Sequence, residues 1–318
     1  MKYKFKVLVT WQLFIDQLNK YQKILINNKI KIDTINSKQF LSEKDLLRVI
    51  KDYHGVVCGD DQFTKKVLIK AKNLKVISKW GTGLDSIDLD YAKKIGIKVY
   101  NSPGGFTAGV AQLAIAMLLA ISRNIINTHN EMRKGEWPKL QGFLLSGRTL
   151  GIIGYGNIGQ KISEMISGFK MKVVFNDKKN ISNKILKKNK VFFLNKKKLI
   201  ETSDIIILCV DLNKSSKNLI NKKDFFLMKK NVIIINISRG QVINQKALLN
   251  ALKNKKVYAA GLDVFENEPL EKNNKLFKYK NCIFSSHNAF NTYEDVNKVH
   301  ENTIKNLIKG LNEKFKDI

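Results

Sequence analysis

Short apolar runs alternate with polar, helix-like segments in two successive series along the 318-residue chain. The first series predicts strands at Lys4–Thr10, Lys31–Ile35, Gly55–Cys58, Lys75–Ser78 and Lys98–Tyr100. The second series begins at Thr149 and predicts strands at Leu150–Gly154, Lys172–Asn176, Asp204–Val210, Val232–Asn236, Val257–Leu262 and Cys282–Ser285. Strands that alternate with helical segments are typical of βαβ units, so both series predict parallel sheets.

Helical patterns lie between and after these runs. Glu43–Asp52 and Thr64–Ala71 fit helices of the first series, and the tail from about Tyr293 fits one amphipathic helix. A longer helical segment extends from Thr107 to about Lys134, and its middle, Leu113–Ile121, is nearly all apolar. This segment is buried between layers or at a subunit contact, or it is a plain core helix.

A glycine-rich turn opens the second series. Residues 151–159 read Gly-Ile-Ile-Gly-Tyr-Gly-Asn-Ile-Gly, and Asp177 closes the next apolar run. In a dinucleotide site Gly154 permits the tight turn, Gly156 lets a pyrophosphate approach the backbone, and Gly159 lets the helix pack closely. Asp177 lies where a carboxylate would accept hydrogen bonds from the adenosine ribose. The alternative is an ordinary tight strand–helix turn.

The position of this fingerprint predicts the fold. We expect an α/β protein with two Rossmann-like, doubly wound parallel-sheet domains. The nucleotide-binding Rossmann domain, residues 103–289, is inserted within a flanking domain formed by residues 1–102 and 290–318. Because ligands of open α/β sheets bind at the carboxyl ends of strands, the sequence predicts a site in the cleft between the domains.

Composition indicates the compartment. The chain is 44% hydrophobic, which is enough for sizeable cores. Cys58, Cys209 and Cys282 are odd in number and far apart, so they suit a reducing compartment and form neither a disulfide framework nor a zinc motif. The N-terminus alternates like a strand and lacks a signal-peptide core, and no run approaches the roughly 18–20 apolar residues of a membrane span. We therefore expect a cytoplasmic protein with no membrane partner and no metal.

The charge is strongly positive, because 57 basic residues stand against 27 acidic ones and give a net charge of +30. Such a charge can indicate a polyanion partner, or it can reflect a lysine-biased genome. The scattered lysines favour the second interpretation. The densest tract, residues 178–198, holds nine lysines and no acid, but it has no stacking platform beyond Phe192 and Phe193. We therefore do not expect nucleic acid as a partner.

Three candidate catalytic side chains each follow a predicted strand: Arg239, Glu268 and His287. Hydride transfer to a 2-oxo acid needs a planar cation for the carboxylate, positive charge beside the carbonyl oxygen, and a proton donor that works near neutral pH. Arginine meets the first two needs and histidine the third. A neighbouring carboxylate fixes the imidazole tautomer and favours the imidazolium.

Each candidate has a structural alternative. An arginine at a strand end is usually part of a surface ion pair. Glu268 can be a plain loop acid, and Glu266 is a rival two residues away. His287 is one of four histidines, with 54, 129 and 300, and a single histidine is more often structural than catalytic.

The motifs together resemble the D-isomer-specific 2-hydroxyacid dehydrogenases, and most closely the short D-3-phosphoglycerate dehydrogenases. The resemblance covers nearly the whole chain and is strongest from Val76 to Asn291. Besides the glycine fingerprint, its marks are Lys79-Trp-Gly-Thr-Gly-Leu-Asp-Ser-Ile-Asp, Asn236-Ile-Ser-Arg-Gly, Leu262-Asp-Val-Phe-Glu-Asn-Glu-Pro and Ser286-His-Asn.

The resemblance implies roles for particular residues. Arg239 binds the substrate carboxylate and carbonyl, His287 is the general acid/base, and Glu268, the second acid of its motif, is the partner of His287. Substrate contacts come from Lys79 and from the backbone of Gly81, Thr82 and Gly83. The dinucleotide contacts, besides the three glycines and Asp177, are Thr82, Asn157, Ile158, Val210, Ile237 and Asp263. The resemblance also implies that the nucleotide-binding domain is an NAD-binding domain and that the flanking domain is flavodoxin-like and binds the substrate. It further implies NAD as cofactor and a homodimer built around the long helix near Gln112.

The chain departs from the family pattern at several positions. Gln112 stands where the family usually has Glu, and Cys209 and Asp211 stand where it usually has His and Pro. Phosphoglycerate dehydrogenases often carry an Arg for the substrate phosphate where this chain has Cys58, which Asp60 and Asp61 follow. Two acids would repel a phosphate, although Lys79 could compensate.

Three functions follow from these observations. The first is a phosphoglycerate dehydrogenase-like, NAD-dependent D-2-hydroxyacid dehydrogenase that acts on a small 2-oxo or 2-hydroxy acid. The second is a hydroxypyruvate or glyoxylate reductase. The third belongs to a different class, an NAD(H)-sensing interaction protein of the same fold, and an intact set of Arg239, Glu268 and His287 argues against a purely binding role.

Overall fold

The chain divides into two compact units in a computed structural model that describes residues 3–37 and 39–313. Unit 1 consists of the described parts of Met1–Phe106 and Tyr293–Ile318, and unit 2 is Thr107–Thr292. Unit 2 is therefore inserted in the sequence of unit 1.

The elements of both units follow one another in chain order. The first segment of unit 1 contains β1 (Phe5–Val9), α1 (Gln12–Ile15), α2 (Gln22–Asn27), β2 (Ile30–Thr34), α3 (Glu43–Val49), β3 (Gly55–Cys58), α4 (Lys65–Lys70), β4 (Val76–Lys79), α5 (Leu89–Lys94) and β5 (Lys98–Tyr100). Unit 2 contains α6 (Thr107–Ser122), α7 (Ile125–Met132), β6 (Thr149–Ile153), α8 (Asn157–Met165), β7 (Lys172–Asn176), α9 (Asn183–Asn189), β8 (Phe192–Phe193), α10 (Lys196–Thr202), β9 (Ile205–Leu208), α11 (Lys222–Leu227), β10 (Val232–Asn236), α12 (Gln245–Lys253), β11 (Val257–Leu262) and β12 (Cys282–Phe284). The helix α13 (Tyr293–Asn312) returns to unit 1.

Unit 1 is built on a parallel sheet of strand order β2-β1-β3-β4-β5. Every residue of β3 and β4 is buried, as expected for parallel strands covered on both faces. The C-terminal helix α13 packs against β3, β4 and β5. A Cβ added at Gly310 of this helix would lie 2.4 Å from Val76, so the helix and the sheet meet at a distance that only glycine allows.

Unit 2 is built on a parallel sheet of strand order β12-β11-β10-β9-β6-β7-β8. The chain starts at β6, adds β7 and β8 on one side, and then continues from β9 on the other side. The strand order therefore reverses between β6 and β9, which is the position where doubly wound sheets bind ligands. The apolar α6 covers this sheet and contacts β10 and β11.

The predicted fold class is confirmed, since both units are doubly wound parallel α/β layers and one is inserted in the other. The prediction of one long helical segment from Thr107 to about Lys134 was wrong. The segment consists of α6 and α7, bent by 64° at a break. Asn124 lies at the break with φ 54°, a left-handed conformation that asparagine tolerates better than most residues. Its side-chain amide donates to the Gln141 carbonyl over 2.7 Å, which holds the break in place.

The same two helices bear on membrane insertion. Along the described residues, no helix taken singly has the length and apolarity to cross a bilayer, and α6 and α7 reach both criteria only as a bent pair.

An aromatic cluster in unit 1 surrounds a buried histidine of α13. His300 is 1% exposed, and its ring centroid lies 5.2 Å from that of Phe14 and 5.5 Å from that of Trp80. Its Nε2 atom has no hydrogen-bond partner among the described residues. Burial, assisted by the charge of Lys20, lowers the pKa of His300 to about 4, although the Leu13 carbonyl accepts a hydrogen bond from the ring.

We expect His300 to make the protein less stable as the pH falls from about 6.5 to about 4. In this window the unfolded chain, with an ordinary pKa of 6.5, binds a proton that the folded chain excludes, and the difference corresponds to roughly 3 kcal/mol. His300→Phe should therefore lose less free energy of unfolding than the wild type between pH 7 and 4.5, measured by urea titration. His129→Gln, at an exposed position, serves as the control. Identical pH dependence of wild type and His300→Phe would contradict the assignment.

Candidate active site

The fold of unit 2 requires two of the three fingerprint glycines. Gly154 follows β6 with φ +93°, and a Cβ added there would lie 2.5 Å from the Cys209 carbonyl oxygen. A Cβ at Gly159 would lie 2.4 Å from the Gly154 carbonyl oxygen. Larger residues at these two positions would push apart the ends of β6, β9 and the first turn of α8.

Gly156 differs from the other two. It is exposed, its φ is −74°, and an added Cβ would meet no atom within 4 Å. The fold therefore does not need glycine at this position. Gly156 caps α8, and Asn157 and Ile158 form the first turn of that helix. An open backbone at a helix N-terminus suits a pyrophosphate, which needs close approach to main-chain donors. These residues therefore fit a dinucleotide.

The Asp177 carboxylate lies beside the fingerprint loop. One of its oxygens accepts from the Tyr155 backbone N–H over 2.6 Å, and the other accepts from the Lys179 N–H over 2.7 Å. Each carboxylate oxygen has a further lone pair, so the group can still accept from a ribose diol. The loop is thus tied to the end of β7 at the position predicted for the adenosine.

Tyr155, for which the sequence predicted no role, stiffens this loop. Its side chain is fully buried, its hydroxyl lies 2.7 Å from Ser163 Oγ, and its ring stacks on Phe175 with centroids 4.3 Å apart. The only signal in the sequence was an aromatic residue within a glycine-rich turn, where solvent exposure is the usual expectation.

Glu268 and His287 lie together, although 19 positions separate them. His287 Nδ1 is 2.8 Å from Glu268 Oε2, and Glu268 Oε1 accepts from the Phe265 N–H over 2.8 Å. Both oxygens of Glu268 are thus engaged, and the imidazole presents Nε2 on its other side. This arrangement holds the ring in one orientation, as a general acid/base requires.

The loop that carries His287 is held by Asp263. His287 has φ 54°, a conformation that most residues avoid. Its N–H donates to the Asp263 carbonyl over 2.7 Å. The Asp263 carboxylate, 1% exposed, accepts from the N–H groups of Asn288 and Ala289 over 2.9 and 3.2 Å. The predicted dinucleotide contact of Asp263 stays a prediction, and its observed contacts fix the His287 backbone.

Arg239 follows β10, next to the loop that carries Glu268. Its Nη1 donates to the Ser238 carbonyl over 2.9 Å, and its own carbonyl accepts from the Asn236 side chain over 2.9 Å. A Cβ at the next residue, Gly240, would lie 1.8 Å from the Phe265 carbonyl carbon, so the two loops touch through their backbones. Arg239, Glu268 and His287 thus follow three neighbouring parallel strands, β10, β11 and β12, at one edge of the sheet.

Two further predicted dinucleotide contacts lie near the fingerprint and directly after β10. Val210 is half-buried, and its Cγ1 lies 2.8 Å from the position of a Cβ on Gly154. Ile237, directly after β10, is 6% exposed. Both stay predictions.

In unit 1, the predicted substrate loop follows β4. Gly81 has φ +139°, which a residue with a side chain rarely adopts. Thr82 is exposed and Gly83 half-buried, and the Thr82 carbonyl accepts from the Asn101 side chain over 2.6 Å. Lys79, at the end of β4, is 3% exposed and pairs with Asp60 over 2.6 Å.

The two acids that follow Cys58 have different environments. Asp61 is 1% exposed, and its carboxylate accepts from the Thr10 hydroxyl and from the Leu41 N–H over 2.5 Å. Burial raises the pKa of Asp61, although these hydrogen bonds and Lys79 oppose the rise. Burial also raises the pKa of the Cys58 thiol above its usual value. Asp61 and Cys58 are therefore structural, and Asp60 alone of the three is partly open to solvent.

The comparison with family models agrees with this geometry. Residues 115–289 match the model described as D-isomer specific 2-hydroxyacid dehydrogenase, NAD binding domain. The matched range includes the fingerprint, Asp177, Arg239, Glu268 and His287.

Curated relatives cover most of the chain. It is similar to a hydroxypyruvate reductase of Thermotoga maritima, 35% identical over 93% of this chain and 96% of that protein. A glyoxylate reductase of Thermococcus litoralis is 38% identical over 83% of this chain and 82% of that protein. A D-3-phosphoglycerate dehydrogenase of Methanocaldococcus jannaschii is 36% identical over 91% of this chain but only 54% of that protein.

Solved structures agree. The crystal structure of a D-lactate dehydrogenase from Aquifex aeolicus, complexed with NAD and lactic acid, matches with a TM-score of 0.84 and 28% identity. The match covers 94% of this chain and 93% of that one.

We expect Gly156→Ala to weaken NADH binding at least tenfold without loss of stability. The added methyl group meets no protein atom, so its only effect would be on the approach of the pyrophosphate. Gly159→Ala is the matched contrast, because its methyl group would strike the Gly154 carbonyl and should lower the unfolding midpoint. Fluorescence titration with NADH and thermal unfolding distinguish the two effects. Unchanged NADH affinity in Gly156→Ala would refute the pyrophosphate position.

Proposed function

Because the chain belongs to the family of D-isomer-specific 2-hydroxyacid dehydrogenases, we propose that it reduces a small, unphosphorylated 2-oxo acid such as hydroxypyruvate or glyoxylate. It is an oxidoreductase that transfers hydride between a nicotinamide dinucleotide and a 2-hydroxy acid. The observation that carries the catalytic assignment is the 2.8 Å contact between His287 Nδ1 and Glu268 Oε2 at the end of β12.

The proposed chemistry divides among three side chains. A nicotinamide held by the fingerprint loop would supply the hydride that the substrate carbonyl carbon accepts. His287 delivers a proton from Nε2 to the carbonyl oxygen, and in the reverse reaction takes it from the hydroxyl. Glu268 holds the imidazole so that Nδ1 carries its proton toward the carboxylate. Arg239 binds the substrate carboxylate and stabilises the negative charge that grows on the carbonyl oxygen.

The proposed substrate contacts of unit 1 are backbone donors. Gly81 and Gly83 carry no side chains that would crowd this loop, and a carboxylate is well suited to accept from successive N–H groups. Thr82 is exposed on the same loop, and we assign it to the nicotinamide as well. Lys79 is assigned to the substrate site only by its position at the end of β4, because its ammonium group is already bonded to Asp60 and to the Gly59 carbonyl.

We propose NAD rather than NADP as the physiological cofactor. Asp177 is held beside the fingerprint loop, where its negative charge would repel a 2′-phosphate. Lys178 and Lys179 follow directly, but Lys178 bonds to Ser215 Oγ, and Lys179 contributes its backbone N–H to Asp177. A preference for NAD is therefore expected, with NADP used less efficiently.

Two alternative functions can each be weighed against a specific observation. Phosphoglycerate oxidation is supported by the D-3-phosphoglycerate dehydrogenase relative, and it is disfavoured by buried Cys58 at the position where such enzymes often carry arginine. An NAD(H)-sensing interaction protein would not need the oriented pair of Glu268 and His287.

We also propose a homodimer, which light scattering would detect as twice the 36.4 kDa chain mass. Nucleic acid is not a proposed partner, because the lysines are scattered.

A substrate panel tests the proposed function. We expect purified protein to oxidise NADH with glyoxylate or hydroxypyruvate at least as efficiently, in kcat/KM, as with 3-phosphohydroxypyruvate. NADPH should be used less efficiently than NADH, because the Asp177 carboxylate would repel its 2′-phosphate. A hundredfold preference for the phosphorylated substrate would make the chain a phosphoglycerate dehydrogenase. No reduction of any 2-oxo acid would favour the sensor.

His287→Gln should lower kcat about 10²–10⁴-fold while NADH binding and thermal stability are kept, because glutamine fills the site but transfers no proton. Glu268→Gln should lower kcat less and change its pH profile, because the imidazole remains while its orienting charge is lost. His129→Gln, remote in sequence and at an exposed position, should behave like the wild type. Near-normal turnover of His287→Gln at every pH from 6 to 9 would disprove the role of His287.

A further inference from the structure

A buried ion pair lies at the carboxyl edge of the unit 1 sheet. Lys79 alone is buried among the lysines that the structure describes, with 3% of its surface exposed. A buried ammonium group is costly unless it is paired and hydrogen-bonded. Lys79 Nζ donates to the Gly59 carbonyl and lies 2.6 Å from Asp60 Oδ1. The ion-pair partner of Lys79 is therefore Asp60, from the neighbouring strand end, whereas the buried Asp61 nearby is engaged by Thr10 and Leu41.

The pair occupies the edge of the sheet where ligands bind. β3 and β4 are parallel neighbours, and Cys58 is in register with Lys79, so Asp60 and Lys79 leave the sheet at the same end. The Lys79 stem runs beneath the predicted substrate loop, because its Cε lies 3.8 Å from the position of a Cβ on Gly81. Asp60 keeps 38% of its side chain exposed, so the pair presents its carboxylate to solvent.

Aromatic residues line the same edge. The Trp11 ring lies over Gly59, since a Cβ added at Gly59 would be 2.3 Å from that ring. The rings of Trp11 and Trp80 are 5.3 Å apart between centroids. An anion that approached this edge would meet apolar rings and the Asp60 carboxylate in place of a free ammonium group.

We propose that Asp60 determines substrate specificity by neutralising Lys79, so that the enzyme excludes substrates with a phosphate on C3. This inference rests on the proposed function, in which the loop that follows Lys79 contacts the substrate. The group on C3 of an accepted substrate is then small and uncharged: the hydroxyl of hydroxypyruvate meets the ion pair without repulsion, and glyoxylate, which has no C3, does not reach it. Asp60 is the residue that excludes the phosphate, because Lys79, a cation that could bind a phosphate, is already present beside it.

Removing the charge of Asp60 should release Lys79 as a phosphate-binding group. We expect Asp60→Asn to raise the ratio of kcat/KM for 3-phosphohydroxypyruvate to that for hydroxypyruvate by about tenfold or more, mainly through a lower KM, as one added charge-assisted contact implies. Inorganic phosphate should also inhibit glyoxylate reduction at a concentration about tenfold lower in this variant. The double variant Asp60→Asn/Lys79→Met should lose the gained phosphate inhibition, because the cation is absent.

Two controls separate the local effect from net charge. Asp60→Glu keeps the carboxylate and should keep the wild-type ratio. Asp52→Asn removes one exposed acid before β3, at the opposite end of that strand, and should also change the ratio by less than threefold. If Asp60→Asn does not fold, Asp60→Ser takes its place in the same assays.

The outcomes separate this inference from the proposed function. A ratio that changes less than threefold in Asp60→Asn, while hydroxypyruvate is still reduced, overturns the role of Asp60 and leaves the proposed function standing. A wild type that reduces no 2-oxo acid overturns the proposed function itself. A wild type that prefers the phosphorylated substrate a hundredfold overturns both the substrate class and the exclusion by Asp60.

Discussion

The parallel pairing of buried, apolar strands is the constraint on which the functional organisation of unit 2 depends. All residues of β9 and β10 are buried, so these strands have no place for charged side chains. Parallel neighbours end at the same edge, and the polar residues that follow them must meet there. Arg239, Glu268 and His287 come from three neighbouring strands for this reason. The same pairing places the Gly154–Gly159 turn at the point where the strand order reverses.

Hydrogen bonds made by Asp263 and Glu268 fix the geometry of the candidate active site around His287. Asp263 leaves β11 and uses its carbonyl and both carboxylate oxygens on the backbone of residues 287–289. Glu268 uses one oxygen on its own loop and the other on the imidazole. Hydrogen bonds from backbone N–H groups to a buried carboxylate are strong, because the charge has few competing partners. The left-handed backbone of His287 persists because these bonds determine it.

The surface lysines and the buried Lys79 differ in what their charges do in this protein. Most lysines lie on the surface, where solvent and salt screen them, and they carry little structural information. Lys79 is different because the fold encloses it, and its charge must be balanced within the sheet edge. The net charge of +30 thus says little about specificity, whereas the pair of Asp60 and Lys79 is the feature that we propose to select the substrate.

Local features of the sequence determined most of the fold. Strands β3, β5, β7, β10 and β11 begin and end at the predicted residues, because short apolar runs between polar segments are a local signal. The glycine turn followed by Asp177 predicted a nucleotide site, since the tight turn and close approaches that such a site needs favour glycine. The order of the motifs along the chain was sufficient to indicate the family.

Only the tertiary structure decided which polar groups are partners. From the residues alone Glu266 and Glu268 were equivalent candidates, and only the family resemblance favoured Glu268. In the structure Glu268 contacts His287, and Glu266 offers its carbonyl to Gln241. The pairing of Asp60 with Lys79, and of Asp263 with residues 25 positions away, likewise depends on which strand ends become neighbours. The break at Asn124 depends on a carbonyl supplied by Gln141. Such contacts are long-range in sequence, and hydropathy along the chain contains no information about them until the strand order is known.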